Sequence, residues 1–233
     1  MLRAELYKYL KNHLFSITLI MPIILVVCMI YLAPTLNYSN TSDKGLLIYV
    51  FSRNFFYTIM VPLYIIITCR IVGEMEHKNN NWTLLMSMPL KKSKIYFTKM
   101  FTLTLMVLIH YLGYLMGILL VKVVSNNFPI AFESILLDLL LSFLCTFAII
   151  SFFYIFSLEN IPLIVYLGIG IVMLLSGFLS SQSEHLWVYN PLSYPFVVPS
   201  LSTGVSKFIF VGAFLSILFH LIGFIRFRKK EWV

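Results

Sequence analysis

The chain has 233 residues, of which 60% are hydrophobic and only 11% are charged, and its mean hydropathy is +0.92. Soluble domains carry about a quarter charged residues, so this composition excludes an ordinary soluble protein. The net charge of +8 comes from basic residues beside apolar blocks, which favours membrane topology and lipid headgroups over nucleic acid as its explanation.

The first twelve residues predict an amphipathic helix at the membrane interface. Leu2, Leu6 and Leu10 recur at one-turn spacing, with Lys8 and other basic residues around them. This pattern is typical of a helix that lies in the headgroup layer and leads into a membrane span. The helix serves either as a simple anchor or as a docking surface for a soluble partner.

Six long apolar blocks follow, and each is long enough to cross a membrane. A transmembrane helix needs about 20 apolar residues, and blocks this continuous are not strands of a barrel. The sequence therefore predicts an all-α integral membrane protein with six transmembrane helices, built as one domain. The predicted spans are residues 14–36, 49–70, 100–121, 139–158, 161–180 and 208–225.

The Lys and Arg residues are distributed unevenly between the two sides of the membrane. If the N-terminus is inside, thirteen of the 17 basic residues lie on the inner side of these spans. The positive-inside rule then predicts that both termini are cytoplasmic. The four basic residues on the outer side are Lys44, Arg53, Lys122 and Lys207.

The loop at residues 73–94, on the predicted inner side, has a distinct local pattern. Asn81 is placed to cap a short helix over residues 82–88, and Pro89 ends that helix. Trp82 heads a compact apolar surface, with acidic residues before it and a basic cluster after it. Such a helix either lies in the headgroup layer or docks in a groove of a soluble partner, with Trp82 as its aromatic anchor.

The order of residues in this loop is Glu-x-Glu, a polar run, Trp-Thr-Leu-Leu, a proline and a basic cluster. This order resembles the permease subunits of ABC-2 type transporters, and is most similar to those of lantibiotic-immunity and bacitracin-resistance exporters. The resemblance implies an ABC-2 (type V exporter-like) permease fold, in which this loop is the coupling helix that fits a cleft on an ATP-binding subunit. The residues that match the docking segment are Glu74, Glu76, Trp82, Thr83, Leu84, Leu85, Met88 and Pro89.

The same resemblance implies the partners and the activity. Two ATP-binding subunits and a second permease chain, identical or related, would complete an exporter in the plasma membrane of a bacterium. The implied cargo is an amphiphilic antimicrobial peptide, and its expulsion would give immunity or resistance. The chain has no P-loop sequence, so ATP and Mg are expected in the partner subunit, and we expect this chain to be no enzyme and to bind no cofactor. The alternatives are export of another hydrophobic compound or lipid, a membrane enzyme, or a non-transporting scaffold or sensor.

Other candidate residues lie within the spans and outside the membrane. His110 is either hydrogen-bonded between helices or part of a substrate pathway, and Arg53 either snorkels or lines an outer vestibule. The outer segment 181–206, with Trp187 and Tyr194, is either a structural lid of short re-entrant helices or a contact for an amphiphilic substrate.

Two further patterns are structural in character. Gly113 and Gly117 form a Gly-x-x-x-Gly pattern, which suits either packing within the chain or a dimer face. Cys28, Cys69 and Cys145 lack the spacing of metal ligands, so the sequence predicts neither a metal site nor a disulfide.

Overall fold

The computed structural model describes residues 2–11, 14–32, 41–78, 81–124, 131–183, 185–197 and 205–230. The regular elements within these ranges are helical, which confirms the fold class predicted from composition. Helices form because each backbone amide must find its hydrogen-bond partner within its own segment when lipid replaces water. The helices are α1 Leu2–Lys11, α2 Leu14–Leu32, α3 Thr41–Phe55, α4 Val61–His77, α5 Asn81–Ser87, α6 Lys92–Val124, α7 Phe132–Ser157, α8 Leu163–Ser181, α9 Tyr194–Val197 and α10 Val205–Lys229.

Five helical stretches in the described ranges are long and apolar enough to cross a membrane, and α1 with α2 supplies a sixth when the pair is counted as one span. The stretches that pass alone are α3 with α4, α6, α7, α8 and α10. Parts of the predicted first span and of the predicted outer segment lie outside the described residues. The helix α6 begins at Lys92, eight residues before the predicted span, which adds about 12 Å to its length.

The span made of α3 and α4 contains one π-helical turn at Phe56–Met60, where the Val61 N–H donates to the Phe56 carbonyl. Pro62 follows this turn. Proline lacks an N–H, and its ring crowds the carbonyl one turn earlier, so a wider turn relieves the clash. The turn places the Phe56 ring 4.0 Å from the Tyr114 ring of α6, measured between centroids.

The helices α2 and α6 approach closely where α6 carries its two glycines. A Cβ atom at Gly113 would lie 2.5 Å from the Leu19 carbonyl oxygen, and one at Gly117 would lie 2.8 Å from a methyl carbon of Val26. Any side chain at these positions would collide with α2, and small residues are what allow such helix contacts in membranes. The Gly-x-x-x-Gly pattern therefore serves packing within this chain.

One end of the bundle, which we call the basic end, carries α1, α5, the start of α6, the turn between α7 and α8, and the C-terminal part of α10. These parts are joined by polar contacts. Lys92 donates to the Arg228 carbonyl at 3.2 Å, and Lys230 donates to the Leu158 carbonyl at 2.7 Å. The basic end is therefore one packed structure.

Candidate functional site

Four charged side chains form a network at the basic end. Lys99 of α6 is 0% exposed, and its Nζ lies 2.8 Å from Glu76 Oε1 and 3.3 Å from Glu5 Oε2. Lys8 of α1 donates to the same Glu76 oxygen at 2.9 Å. The two lysines balance the two glutamates. Pairing of this kind is what offsets the cost of removing buried charges from water.

The network determines which face of α1 is buried. Glu5 and Tyr9 lie one turn apart and are both buried, whereas Leu2, Tyr7 and Leu10 are exposed. This is the reverse of the usual amphipathic helix, whose apolar side faces the protein core. Glu5 takes the inner position because Lys99 offers it a buried positive partner. The apolar side chains of α1 are thereby left for lipid or for another protein.

Trp82 attaches α5 to the bundle. Its side chain is 5% exposed, its ring centroid lies 5.6 Å from that of Phe227 in α10, and Lys99 Nζ lies 5.3 Å from it. The Asn81 side-chain amide donates to the Met75 carbonyl at 2.8 Å. Asn81 is the first helical residue of α5. Its side chain was predicted to cap this helix, but in the structure it forms a hydrogen bond to α4. The short helix is thus held against α4, α6 and α10.

The eight residues predicted for docking fall into two groups. Glu76 and Trp82 are buried and contact residues of this chain rather than a partner, in contrast to the prediction. Glu76 pairs with Lys99, and Trp82 packs on Phe227. Leu85 is half-buried against the core, and Glu74 pairs with Lys78 at 3.2 Å. The members that remain exposed are Thr83, Leu84, Met88 and Pro89.

The exposed group presents an apolar surface. Leu84 of α5 is 59% exposed, and Met88, the residue that follows the last residue of this helix, is 42% exposed. An exposed apolar pair at the end of an otherwise anchored helix is a contact surface that the bundle leaves uncovered.

The turn between α7 and α8 is held to its neighbours by α4 and α10. A Cβ atom at Gly73 of α4 would collide with the Ser157 carbonyl oxygen, so the two backbones touch there. Glu159 accepts a hydrogen bond from Lys230 at 2.8 Å and pairs with Arg226 at 3.0 Å. Burial raises the pKa of the Glu159 carboxyl. The hydrogen bond from Lys230 and the charges of Lys230 and Arg226 together lower this pKa by more than burial raises it, so the pKa falls below its ordinary value.

Lys99, Glu5 and Lys8 belong to this site, yet sequence reasoning gave them no role in it. The sequence placed Lys8 among the basic residues of an interfacial helix and Lys99 at the entry to the third span, and it indicated no partner for either of them and no role for Glu5. One signal was available: Lys99 precedes a long apolar block, and few acidic residues in the chain could neutralise it. Buried lysines in membrane proteins need such partners, and Glu5 and Glu76 were among the few available.

His110 lies in the interior between α2, α4 and α6. Its Nδ1 lies 3.0 Å from the Thr18 carbonyl oxygen, and the side chain is 1% exposed. The ring stacks on Tyr64 at 4.2 Å and on Phe56 at 5.3 Å, between centroids. In this structure His110 therefore joins helices, which is the first of its two predicted roles.

The remaining predicted residues are not brought together with His110 or with the charged network. Arg53 pairs with Asp138 at 3.2 Å. Tyr194 is 0% exposed and donates to the Val188 carbonyl at 2.8 Å, and the half-buried Trp187 packs in the same small cluster. The described part of the outer segment is thus a packed structure with Tyr194 in its interior.

Comparison with known proteins gives one match. A family model described as "ABC-2 family transporter protein" matches residues 1–187, which include α1 to α8 and the charged network. No curated protein and no solved structure matches the chain.

Proposed function

The chain belongs to the ABC-2 family of transporter proteins, and from that premise we propose how it serves as the membrane subunit of an exporter. The basic end faces the cytoplasm, as the positive-inside rule predicts, and α5 docks on a separate ATP-binding subunit. The observation that carries this proposal is the exposed pair of Leu84, on a helix that Trp82 fixes to the bundle, and Met88, directly after that helix. The apolar face of α1, with Leu2 and Leu10, is a second contact surface for the same subunit.

The contacts of α5 supply a route for movement. Two ATP-binding subunits close on ATP and Mg, and each carries the α5 helix of its permease with it. Because Trp82 touches both Lys99 and Phe227, displacement of α5 acts on α6 and α10 together. Glu5 and Glu76 extend this connection to α1 and α4. A second permease chain, identical or related, would form the pathway with this one, and the movement would switch that pathway between its two openings.

The cargo that we propose is an amphiphilic antimicrobial peptide of the lantibiotic or bacitracin type, expelled from the plasma membrane of a bacterium. Its support is the order of residues in the loop at residues 73–94, which resembles that of lantibiotic-immunity and bacitracin-resistance permeases. The competing cargo is another hydrophobic compound or a lipid. A non-transporting sensor is a further alternative, and it predicts no cargo-dependent ATP hydrolysis.

The docking proposal is tested by co-purification of this chain with candidate ATP-binding subunits from the same cell. We expect Leu84→Asp with Met88→Asp to lower association at least tenfold, because two charges replace apolar contacts on the exposed face. The matched control is the exchange Leu84→Met with Met88→Leu, which preserves apolar area and should preserve association. Unchanged association of the aspartate variant would refute docking through this face.

The cargo proposal needs a separate test. Deleting the gene should raise sensitivity to lantibiotics or bacitracin, and the wild-type gene should restore resistance. A panel of hydrophobic non-peptide compounds distinguishes the competing cargo. Unchanged inhibitory concentrations across the peptides would remove the peptide claim and leave the family assignment untouched.

A further inference from the structure

A groove of about 570 Å³ lies at the basic end, beside the last two turns of α10. This volume is within the range of small-molecule binding sites, about 300–1,000 Å³. The apolar part of its lining consists of Ile222 and Ile225. The charged part consists of Arg226, Lys229 and Lys230 of the C-terminal segment and Glu159 of the turn between α7 and α8.

The charged part of the groove carries a net positive charge, and two of its basic side chains are held in place by ion pairs with Glu159. Three basic side chains face one carboxylate, which leaves a net charge of about +2. Glu159 holds Arg226 at 3.0 Å and Lys230 at 2.8 Å, while the Arg226 side chain stays 56% exposed. Lys229 is exposed and makes no ion pair with any residue that the structure describes. An anion can therefore approach Arg226 and Lys229 without displacing Glu159.

The apolar part lies one turn deeper along the same helix. Ile222 and Ile225 are 45% and 50% exposed, and their spacing from Lys229 places all three on one face of α10. Along the helix axis the groove thus passes from hydrocarbon-facing isoleucines to cationic side chains at the end of the span. A soluble anion would use only the charged part, and a soluble protein would have to reach into the lipid layer to use the apolar part.

We propose that this groove binds an anionic phospholipid from the leaflet at the basic end, with its phosphate on Arg226 and Lys229 and an acyl chain along Ile222 and Ile225. The proposal does not depend on the cargo or on the docking surface. Basic pockets at the ends of transmembrane helices are suited to such headgroups. The bound lipid would hold α10 against the α7–α8 turn, where Glu159 already joins them.

The test measures binding of dioleoylphosphatidylglycerol and of dioleoylphosphatidylcholine to the purified full chain by native mass spectrometry. A basic side chain near an anionic lipid contributes about fivefold in affinity, so Arg226→Gln with Lys229→Gln should weaken phosphatidylglycerol binding about 25-fold. Phosphatidylcholine binding should change less than about twofold. Size-exclusion chromatography and helix content establish that the variant is folded.

The matched control is Lys91→Gln with Arg228→Gln, which removes the same charge from exposed residues at the same end outside the groove. Equal loss of phosphatidylglycerol binding in both double variants would overturn the proposal in favour of general surface charge. Ile225→Trp narrows the apolar part without changing charge and should also weaken phosphatidylglycerol binding. If that variant binds normally, the site is one for phosphate groups alone, and the lipid assignment is wrong.

Discussion

At the scale of single residues, we expect substitution of Lys99 to have the largest effect on the stability of the protein. Replacing it with Met leaves the carboxylates of Glu5 and Glu76 buried without their shared partner. Removing one member of a buried ionic network costs about 3–5 kcal/mol, so we expect a clear fall in the thermal unfolding midpoint of the purified protein. The control is Lys94→Met, an exposed lysine of the same helix, which should leave the midpoint nearly unchanged.

A compensating variant distinguishes a charge effect from a packing effect. Adding Glu5→Gln and Glu76→Gln to Lys99→Met removes the two carboxylates that Lys8 alone would otherwise have to balance, so part of the lost stability should return. If the triple variant is less stable than Lys99→Met alone, the network contributes through packing, and the electrostatic account is wrong.

At the scale of helices, the close approach of α2 and α6 at Gly113 is directly testable. Gly113→Ala places a Cβ atom against the Leu19 carbonyl, and overpacking of this kind costs about 1–3 kcal/mol. We expect a lower thermal midpoint, measured in the same detergent. Gly168→Ala is the matched control, because a Cβ atom there meets nothing within 4 Å. A lower midpoint for both variants would point to a general effect of alanine in these spans rather than to the contact.

The joint between α10 and the α7–α8 turn should depend on pH. The pKa of Glu159 is lower in the folded protein than its ordinary value of 4.5, so its stabilising contribution is complete above that value and is lost as the pH falls through the folded pKa. The difference in thermal midpoint between the wild type and Glu159→Gln should therefore be present at neutral pH and shrink in acid. Glu133→Gln, at an exposed site near the start of α7, serves as the control. A difference that stays constant down to the lowest pH would contradict the ion-pair account.

Hydropathy was enough to predict an all-helical membrane protein, and the structure has five or six candidate spans, but hydropathy did not reveal how the ends of the helices pack. The predicted third span begins after Lys99 because a charge ends an apolar block, whereas in the structure Lys99 lies inside α6 and pairs with Glu5 and Glu76. Trp82 was predicted to be an outward anchor because one loop, read alone, cannot reveal that Phe227 lies behind it. The spacing of the leucines places them on one face of α1, but the burial of Glu5 depends on Lys99 of α6. What sequence alone missed is long-range pairing.

At the scale of the whole transporter, the docking and transmission roles proposed for α5 should be separable by mutation. Leu84 and Met88 face outward, whereas Trp82 faces inward toward Lys99 and Phe227. Trp82→Ala keeps the docking face but loosens the helix from the bundle. We expect this variant to associate with the ATP-binding subunit within about tenfold of wild type, since hot-spot energy lies in the contacts that remain. Export, and stimulation of ATP hydrolysis by the cargo, should be lost.

Trp82→Phe provides the matched comparison, because a smaller ring retains part of the contact with Phe227 and Lys99 and should retain part of the coupling. The aspartate variant at Leu84 and Met88 should instead lose association, hydrolysis and export together. The two profiles are measured side by side in proteoliposomes that contain both subunits. If Trp82→Ala exports normally, movement does not pass through this side chain. If Trp82→Ala loses association as fully as the aspartate variant, the indole itself contributes to docking. Movement would then have to pass from α5 to α6 and α10 through contacts other than those of Trp82.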